Sequence, residues 1–100
     1  MKAPSKCRNI EEIRTEIDRI DKLIISTLAE RFEYVKEAAK FKKNPDEVMA
    51  SDRHTAMLQQ RQDLCNKLNV DYEMVENVYK ILLDYYKQKQ LEIWNKIQKK

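Results

Sequence analysis

The stretch that decides the fold is "IEEIRTEIDRIDKLIISTLAERFEYVKEAAKFK", residues 10–42. When it is projected at about 100° per residue, its apolar side chains lie on one face of a helix. These side chains are Ile10, Ile13, Ile17, Ile20, Ile24, Leu28, Phe32, Val35, Ala38 and Ala39. Asn9 and Glu12 form a capping-box pattern at its start, with Asn in place of the usual Ser or Thr. We therefore predict one uninterrupted helix over about residues 10–42.

The composition of the chain also favours helices. Its 100 residues include two prolines and no glycine, the residue that most readily supplies positive φ in tight hairpins. Charged residues make up 37%, with 20 Lys+Arg interleaved among 17 Asp+Glu. Interleaved charges of this kind are typical of the solvated faces of amphipathic helices. We predict an all-α fold in a single domain over residues 1–100, since a chain of this length suits one domain.

Two further long helices are predicted after the first. The stretch "NPDE", residues 44–47, is a turn or a short helical start, because Asn caps helices and Pro suits the first helical position. A second helix is predicted over about residues 50–68, with an apolar face made of Ala50, Met57, Leu64 and Leu68. A third is predicted over about residues 71–98, and its apolar face contains Val78, Tyr79, Leu82, Tyr86, Trp94 and Ile97.

The first helix is too long for one small chain to cover. At 1.5 Å per residue it is roughly 50 Å long, about twice the span of a globule with a radius of gyration of about 13 Å. We therefore expect a second copy of the chain to complete its apolar face, giving an intertwined homodimer of six helices, three from each chain. A lone coiled coil fits less well, because polar residues interrupt the seam.

Polar side chains interrupt the apolar faces of all three predicted helices. They are Arg14, Asp21, Arg31 and Lys42 on the first helix, Arg53 on the second and Gln90 on the third. For any one of them, a long side chain that reaches water or a surface ion pair is a sufficient explanation. Most of the set is cationic, however, and burying unpaired cations is expensive. Together these residues favour a binding site for an anion such as a small dicarboxylate.

The spacing of two of these arginines adds a constraint. Arg14 and Arg31 are 17 residues apart, about 25 Å along a helix, which is too far to hold one small molecule. In an antiparallel dimer, Arg14 of one chain can approach Arg31 of the other. The arginine spacing and the helix length therefore predict the same homodimer.

Three stretches of the sequence resemble the all-helical chorismate mutase family. They are "IRTEIDRIDKLIISTLAERFEYVKEAAKFK" at 13–42, "SDR" at 51–53 and "KQKQLEIW" at 87–94, so the resemblance covers nearly the whole chain. Within the family, the chain is similar to the salicylate-forming branch, the isochorismate pyruvate lyases, which also have a short N-terminal extension with Pro and Cys and a C-terminal Gln-x-x-x-Trp. The resemblance implies a pericyclic elimination of pyruvate from isochorismate, with weak chorismate mutase activity beside it.

The resemblance also implies a role for each polar residue on the apolar faces. Arg31 and the partner subunit's Arg14 would hold carboxylates of the substrate, and Arg53 would help to bind the side of the substrate that carries the ring. Lys42 would reach the ether bridge and a carboxylate, and Gln90 would donate a hydrogen bond to the ether oxygen. The pocket would be lined by Val35, Met57 and Tyr86. No cofactor, metal or nucleophile is implied, since the reaction needs orientation and charge stabilisation.

Departures from the family pattern favour the lyase over the mutase. Typical mutases place acids at the positions of Ala50 and His54 to engage the C4 hydroxyl of chorismate, and a small hydroxyl residue at the position of Tyr86. Isochorismate carries its hydroxyl at C2, so a lyase loses little without these contacts. Chorismate mutase remains the alternative. A non-enzymatic helical adaptor or nucleic-acid-binding bundle is a remote one, because acids are dispersed among the bases.

The sequence also predicts the surroundings of the protein. No stretch approaches the roughly 20 apolar residues of a membrane span, and the first residues lack the apolar segment of a signal peptide. We expect a cytoplasmic protein that binds neither membranes nor nucleic acid. Cys7 and Cys65 are expected to be ordinary thiols. His54 is expected at a rim, Trp94 in the core, and residues 43–49 as either a lid over the site or a passive connector.

Overall fold

A computed structural model describes residues 1–48 and 51–98 of the chain, and the side chains of all of these except 51–55. The elements in order are a 3₁₀ turn Pro4–Lys6, helix α1 Ile10–Ala38, a 3₁₀ turn Ala39–Phe41, and helices α2 Pro45–Val48, α3 Ser51–Leu68 and α4 Tyr72–Gln98. No strand occurs in the described residues. The prediction of an all-α fold with a long first helix is confirmed. The prediction of three helices is corrected to four, because residues 45–48 form a short helix of their own.

The chain divides into two compact units, Met1–Tyr34 and Val35–Lys100. Helix α1 contributes residues to both units. The single domain over residues 1–100 stays a prediction. Among the described residues, no helix combines the length and the apolar character that a membrane crossing needs.

The start of α1 is fixed by side-chain caps in the first unit. The side-chain oxygen of Asn9 accepts the Glu12 N–H at 2.9 Å, which confirms the predicted cap. The Glu12 carboxylate binds the side chains of Lys2 at 2.6 Å and Arg8 at 2.8 Å, and these two contacts hold the pKa of Glu12 below its ordinary value. The Lys2 main-chain N–H also donates to Glu16 at 2.9 Å. The first residues are therefore held against the first turns of α1.

The apolar face of α1 is exposed in the single chain. No described residue of α1 is buried. Over the first part of this face the exposed fractions range from 40% for Ile13 to 54% for Ile10, and the side chains concerned are Ile10, Ile13, Ile17, Ile20 and Ile24. Leu28, Phe32, Val35 and Ala38, further along the same face, are half-buried. Most helices in proteins owe their stability to the packing of such a face. The hydrophobic core of the single chain thus lies elsewhere.

That core lies in the second unit, where three elements pack against α4. The buried residues are Ala39, Val48, Met57, Cys65 and Tyr86, which are between 1% and 7% exposed. They come from the 3₁₀ turn after α1, from α2, from α3 and from α4 itself. The turn, α2 and α3 each contact α4. Helix α4 is therefore the element against which the rest of this unit is positioned.

The end of α1 differs from its prediction. The α-helix stops at Ala38, the 3₁₀ turn Ala39–Phe41 follows, and Lys42 is extended with φ −84° and ψ 135°. A 3₁₀ turn is wound more tightly than an α-helix. The change in winding coincides with the packing of Ala39 against α4, where Ala39 is only 1% exposed. A tertiary contact, which no local pattern indicates, accounts for the earlier end.

Helix α2 is a short helix stabilised by a reciprocal cap. The Glu47 N–H donates to the side-chain oxygen of Asn44 at 2.9 Å, and the Lys43 N–H donates to the Glu47 carboxylate at 2.6 Å. Pro45 occupies the first helical position, as predicted. Val48 anchors the helix, with only 2% of its surface exposed. Local capping and this buried anchor together explain why the stretch is helical.

The apolar face predicted for α3 is only partly buried in the single chain. Met57 is buried as predicted, whereas Leu64 is 49% exposed and Leu68 is 65% exposed. Cys65 is the residue that faces the core near the end of the helix, at 6% exposure. Ala50 lies outside the described residues. The face that α3 turns towards the core is thus rotated from the predicted one.

Helices α3 and α4 are joined by a tight connection without glycine. Asn69 adopts φ 58°, and the Val70 N–H donates to the Cys65 carbonyl at 2.9 Å. This is the bond of a Schellman motif, in which Asn takes the left-handed position that Gly usually occupies. The Asp71 carboxylate then accepts the Glu73 N–H at 3.0 Å, so Asp71 is the cap and α4 begins at Tyr72.

We predict that Ala39→Leu lowers the free energy of unfolding by about 1–3 kcal/mol, because the larger side chain has no space at the contact with α4. Urea denaturation followed by circular dichroism measures the change. Ala56→Leu is the matched control, since Ala56 is exposed on α3. Equal effects of the two substitutions would contradict the close packing assigned to Ala39.

Candidate functional site

Three side chains of α4 lie along one face of the helix. Tyr86, Gln90 and Trp94 are spaced by four residues, which places them above one another. Tyr86 is buried, and Gln90 and Trp94 are half-buried. The Tyr86 ring meets the Tyr85 ring edge-on, with 5.9 Å between centroids. This face of α4 carries the side chains that contact the end of α1 and the residues after it.

Gln90 is fixed by a hydrogen bond to the end of α1. Its side-chain nitrogen Nε2 donates to the Val35 carbonyl at 2.6 Å. Val35 is one of the last four residues of α1, whose carbonyls lack a full set of partners within a helix. A carbonyl only accepts, so the amide nitrogen must face Val35 and the orientation of the amide is determined. The amide nitrogen has two N–H groups, and this bond uses one of them.

Lys42 is held by both polar groups of its main chain. Its N–H donates to the Ala39 carbonyl at 3.3 Å, and its carbonyl accepts the indole N–H of Trp94 at 2.8 Å. The side chain is half-buried. The main chain of Lys42 is therefore held in place at the point where the 3₁₀ turn ends. From there the chain continues towards α2.

Six of the eight candidate residues belong to the second unit, and the structure describes the side chains of five of them. These five are Val35, Lys42, Met57, Tyr86 and Gln90, and the sixth is Arg53. Met57 is 3% exposed and Tyr86 is 7% exposed, as suits apolar residues that line a site rather than face water. Of these five, Gln90 and Val35 are joined directly by the hydrogen bond described above.

The three candidate arginines are placed differently. Arg14 is exposed and pairs with Glu11 at 3.2 Å, a surface ion pair of the kind that contributes little to stability. Arg31 is half-buried, and both residues belong to the first unit. The Arg53 side chain and that of His54 lie outside the described residues. The binding roles of the arginines therefore stay predictions.

A comparison of sequences now identifies the family. Residues 13–91 match the family model described as chorismate mutase type II. The chain belongs to the type II chorismate mutase family. One curated relative is the isochorismate pyruvate lyase of Pseudomonas aeruginosa. It is 34% identical to this chain over 94 residues, and the aligned region covers 94% of this chain and 93% of the relative. All eight candidate residues lie within the matched residues 13–91 of this chorismate mutase family member.

The contact of Trp94 with Lys42 was not predicted from the sequence. Trp94 was predicted to lie in the core, whereas the residue is half-buried and donates its indole N–H to the Lys42 carbonyl. Its four-residue spacing from Gln90 was the available signal, together with the rule that a buried indole N–H needs an acceptor. The acceptor is a main-chain group, which no residue type in the sequence identifies. Trp94 also lies beyond the residues that the family model matches.

Proposed function

We propose that this protein is an isochorismate pyruvate lyase, which converts isochorismate to salicylate and pyruvate, with a weak chorismate mutase activity. The observation that carries the proposal is the similarity of this chain, over 94% of its length, to a curated isochorismate pyruvate lyase. Membership of the chorismate mutase family supports it, since both activities are pericyclic reactions of closely related substrates. Chorismate mutase is the second candidate, favoured by the family model alone.

The proposed reaction takes place within the substrate. A hydrogen passes from the ring to the enolpyruvyl side chain while the ether bond to the ring breaks. The ring becomes aromatic, and the side chain leaves as pyruvate. The protein then has to hold the side chain over the ring, which supplies the entropic part of the acceleration. It also has to stabilise the negative charge that grows on the ether oxygen.

Lys42 and Gln90 are the groups that we assign to the ether oxygen. The ammonium group of Lys42 and an N–H of Gln90 both donate hydrogen bonds, and donors aimed at developing charge commonly lower a barrier by about 3–4 kcal/mol each. The fixed amide of Gln90 supports this role, because its remaining N–H is oriented before the substrate arrives. The main chain of Lys42 is held as well, so little reorganisation is required.

Three residue identities favour isochorismate over chorismate. Ala50 and His54 stand where mutases of this family carry acids for the C4 hydroxyl. Tyr86 stands where they carry a small hydroxyl residue, and it is buried at 7% exposure. The hydroxyl of isochorismate is at C2, so the missing C4 contacts weaken chorismate binding more than isochorismate binding.

The complete site, in this proposal, is built from two chains of a homodimer. The exposed apolar face of α1 supports the dimer, because a second copy would remove that face from water. Arg31 would hold one carboxylate and Arg14 of the partner subunit the other, with Arg53 on the ring side. Arg14 is exposed in the single chain and so is accessible to a second copy. A cytoplasmic location without membrane or nucleic-acid partners remains part of the proposal.

The deciding experiment incubates the purified protein with isochorismate or with chorismate. We expect salicylate and pyruvate in equal amounts from isochorismate, and a much slower formation of prephenate from chorismate. Faster turnover of chorismate would identify a chorismate mutase instead. Turnover of neither substrate, in a protein that is folded by circular dichroism, would contradict both functions.

We predict that Lys42→Ala lowers kcat for isochorismate by about 10²–10³, the usual loss when one donor to a developing oxyanion is removed. Steady-state kinetics measure the effect, and light scattering confirms that the dimer persists. Lys40→Ala is the matched control, because Lys40 is an exposed lysine that pairs with Glu37 at 2.8 Å. Near-normal turnover of Lys42→Ala would refute the assigned role.

We predict that a heterodimer of one Arg14→Ala chain and one Arg31→Ala chain has about half of the wild-type activity, although each homodimeric variant is nearly inactive. In a symmetric dimer, one of the two sites then receives both arginines. Co-expression with two affinity tags allows the heterodimer to be isolated and assayed.

The matched control combines Arg31→Ala with Lys42→Ala. Both residues belong to the same chain's share of a site in this proposal, so each site of that heterodimer lacks one group and activity should not return. An inactive Arg14→Ala/Arg31→Ala heterodimer would show that the two arginines do not come from different chains.

A further inference from the structure

Trp94 makes the contact from which a further inference follows. It is the only tryptophan of the chain, and its indole N–H lies 2.8 Å from the main-chain oxygen of Lys42, 52 residues away in the sequence. The ring is half-buried on the face of α4 that also carries Gln90. The bond therefore joins the backbone of one proposed catalytic residue to the helix that bears the other.

The position of Lys42 makes its backbone sensitive to this bond. Lys42 is the first extended residue after the 3₁₀ turn, with φ −84° and ψ 135°. Its N–H reaches back to Ala39 at 3.3 Å, which is a long and therefore weak hydrogen bond. The shorter indole bond restrains the other side of the residue. Together they fix the direction in which the Lys42 side chain leaves the main chain.

The bonds that follow Lys42 do not replace this restraint. The Lys43 N–H donates to Glu47, and the Glu47 N–H donates to Asn44. Both bonds close the first turn of α2 upon itself. They order residues 43–47 relative to one another, whereas the indole bond connects Lys42 to α4.

We propose that Trp94 is a positioning residue, which acts through the main chain of Lys42 to hold its ammonium group in register with Gln90. This inference rests on the proposed function, because it assigns Lys42 and Gln90 to the same ether oxygen. Gln90 and Trp94, four residues apart on α4, fix the carbonyls of Val35 and Lys42 respectively. One helix face thus sets the positions of both donors.

The test compares Trp94→Phe with the wild type in the isochorismate assay. Phenylalanine keeps an aromatic ring at this half-buried position but has no N–H donor. We expect kcat to fall about tenfold to a hundredfold, as small displacements of a catalytic group usually cause. Asn95→Ala is the matched control, because Asn95 is the next residue of α4 and is exposed. Its kcat should equal that of the wild type.

A double-mutant cycle separates positioning from a general loss of stability. In a Lys42→Ala background, Trp94→Phe should change kcat by less than about twofold, because residues that act through one group are not additive. A purely structural role would lower kcat by the same factor in both backgrounds. That result, or an unchanged kcat of Trp94→Phe in the wild-type background, would overturn the inference while leaving the lyase function intact. Failure of the wild type to convert isochorismate would contradict the proposed function itself.

A measurement on the wild-type protein covers the case in which Trp94→Phe does not fold. The single tryptophan gives one indole N–H resonance in a ¹⁵N-labelled sample. We expect its hydrogen exchange to be at least about tenfold slower than that of free tryptophan, since the proton is engaged and half-buried. Exchange as fast as in free tryptophan would show that the bond is absent, and the inference would fail.

Discussion

An apolar helix face that its own chain leaves exposed is the constraint on which the rest of this molecule depends. Helix α1 has 29 residues and is about 43 Å long. Its isoleucines are between 40% and 67% exposed in the single chain. Full burial of such a side chain contributes about 1.5–3 kcal/mol, whereas a surface ion pair contributes about 0–1 kcal/mol. In the proposed homodimer, the apolar face of α1 would therefore drive its association with a second copy, and that association would bring the arginines on α1 into the dimer.

The helix starts were predictable because a cap is a local interaction. Asn9 and Asn44 were predicted as caps, and each accepts an N–H from the residue three positions later. Asp71 was predicted as the first residue of its helix, and it is instead the cap, one residue before α4 begins. The same locality explains why α2 exists as a separate four-residue helix. Its cap is complete, although the sequence alone left a turn and a helical start as alternatives. A pattern within a few residues thus specifies where helices begin in this chain.

The ends and the buried faces were less predictable because they depend on distant residues. Helix α1 stops at Ala38 with neither a glycine nor a proline nearby, and the change to a 3₁₀ turn accompanies the packing of Ala39 on α4. Leu64 and Leu68 lie on the predicted apolar face of α3 but are exposed in the single chain. Asn69 takes positive φ in a chain without glycine. The early end of α1 and the rotated face of α3 accompany tertiary packing, and the positive φ of Asn69 belongs to the Schellman motif that ends α3. Helical periodicity predicts none of these features.

The side chains of the candidate site could be predicted from the sequence, whereas the main-chain groups that take part in their contacts could not. Helical periodicity identifies a charged or amide side chain that interrupts an apolar face, so Lys42 and Gln90 could be selected from the sequence. The bonds that hold them end on main-chain carbonyls: Gln90 donates to the carbonyl of Val35, and the carbonyl of Lys42 itself accepts the indole N–H of Trp94. A main-chain carbonyl has no residue identity to recognise. A pericyclic reaction depends on orientation rather than on a nucleophile, so the groups that orient a donor matter to the rate as well as the donor does. In the role proposed for Trp94, a substitution there would displace a cation without altering any charge, which is why charge and hydropathy alone assign that residue to the core.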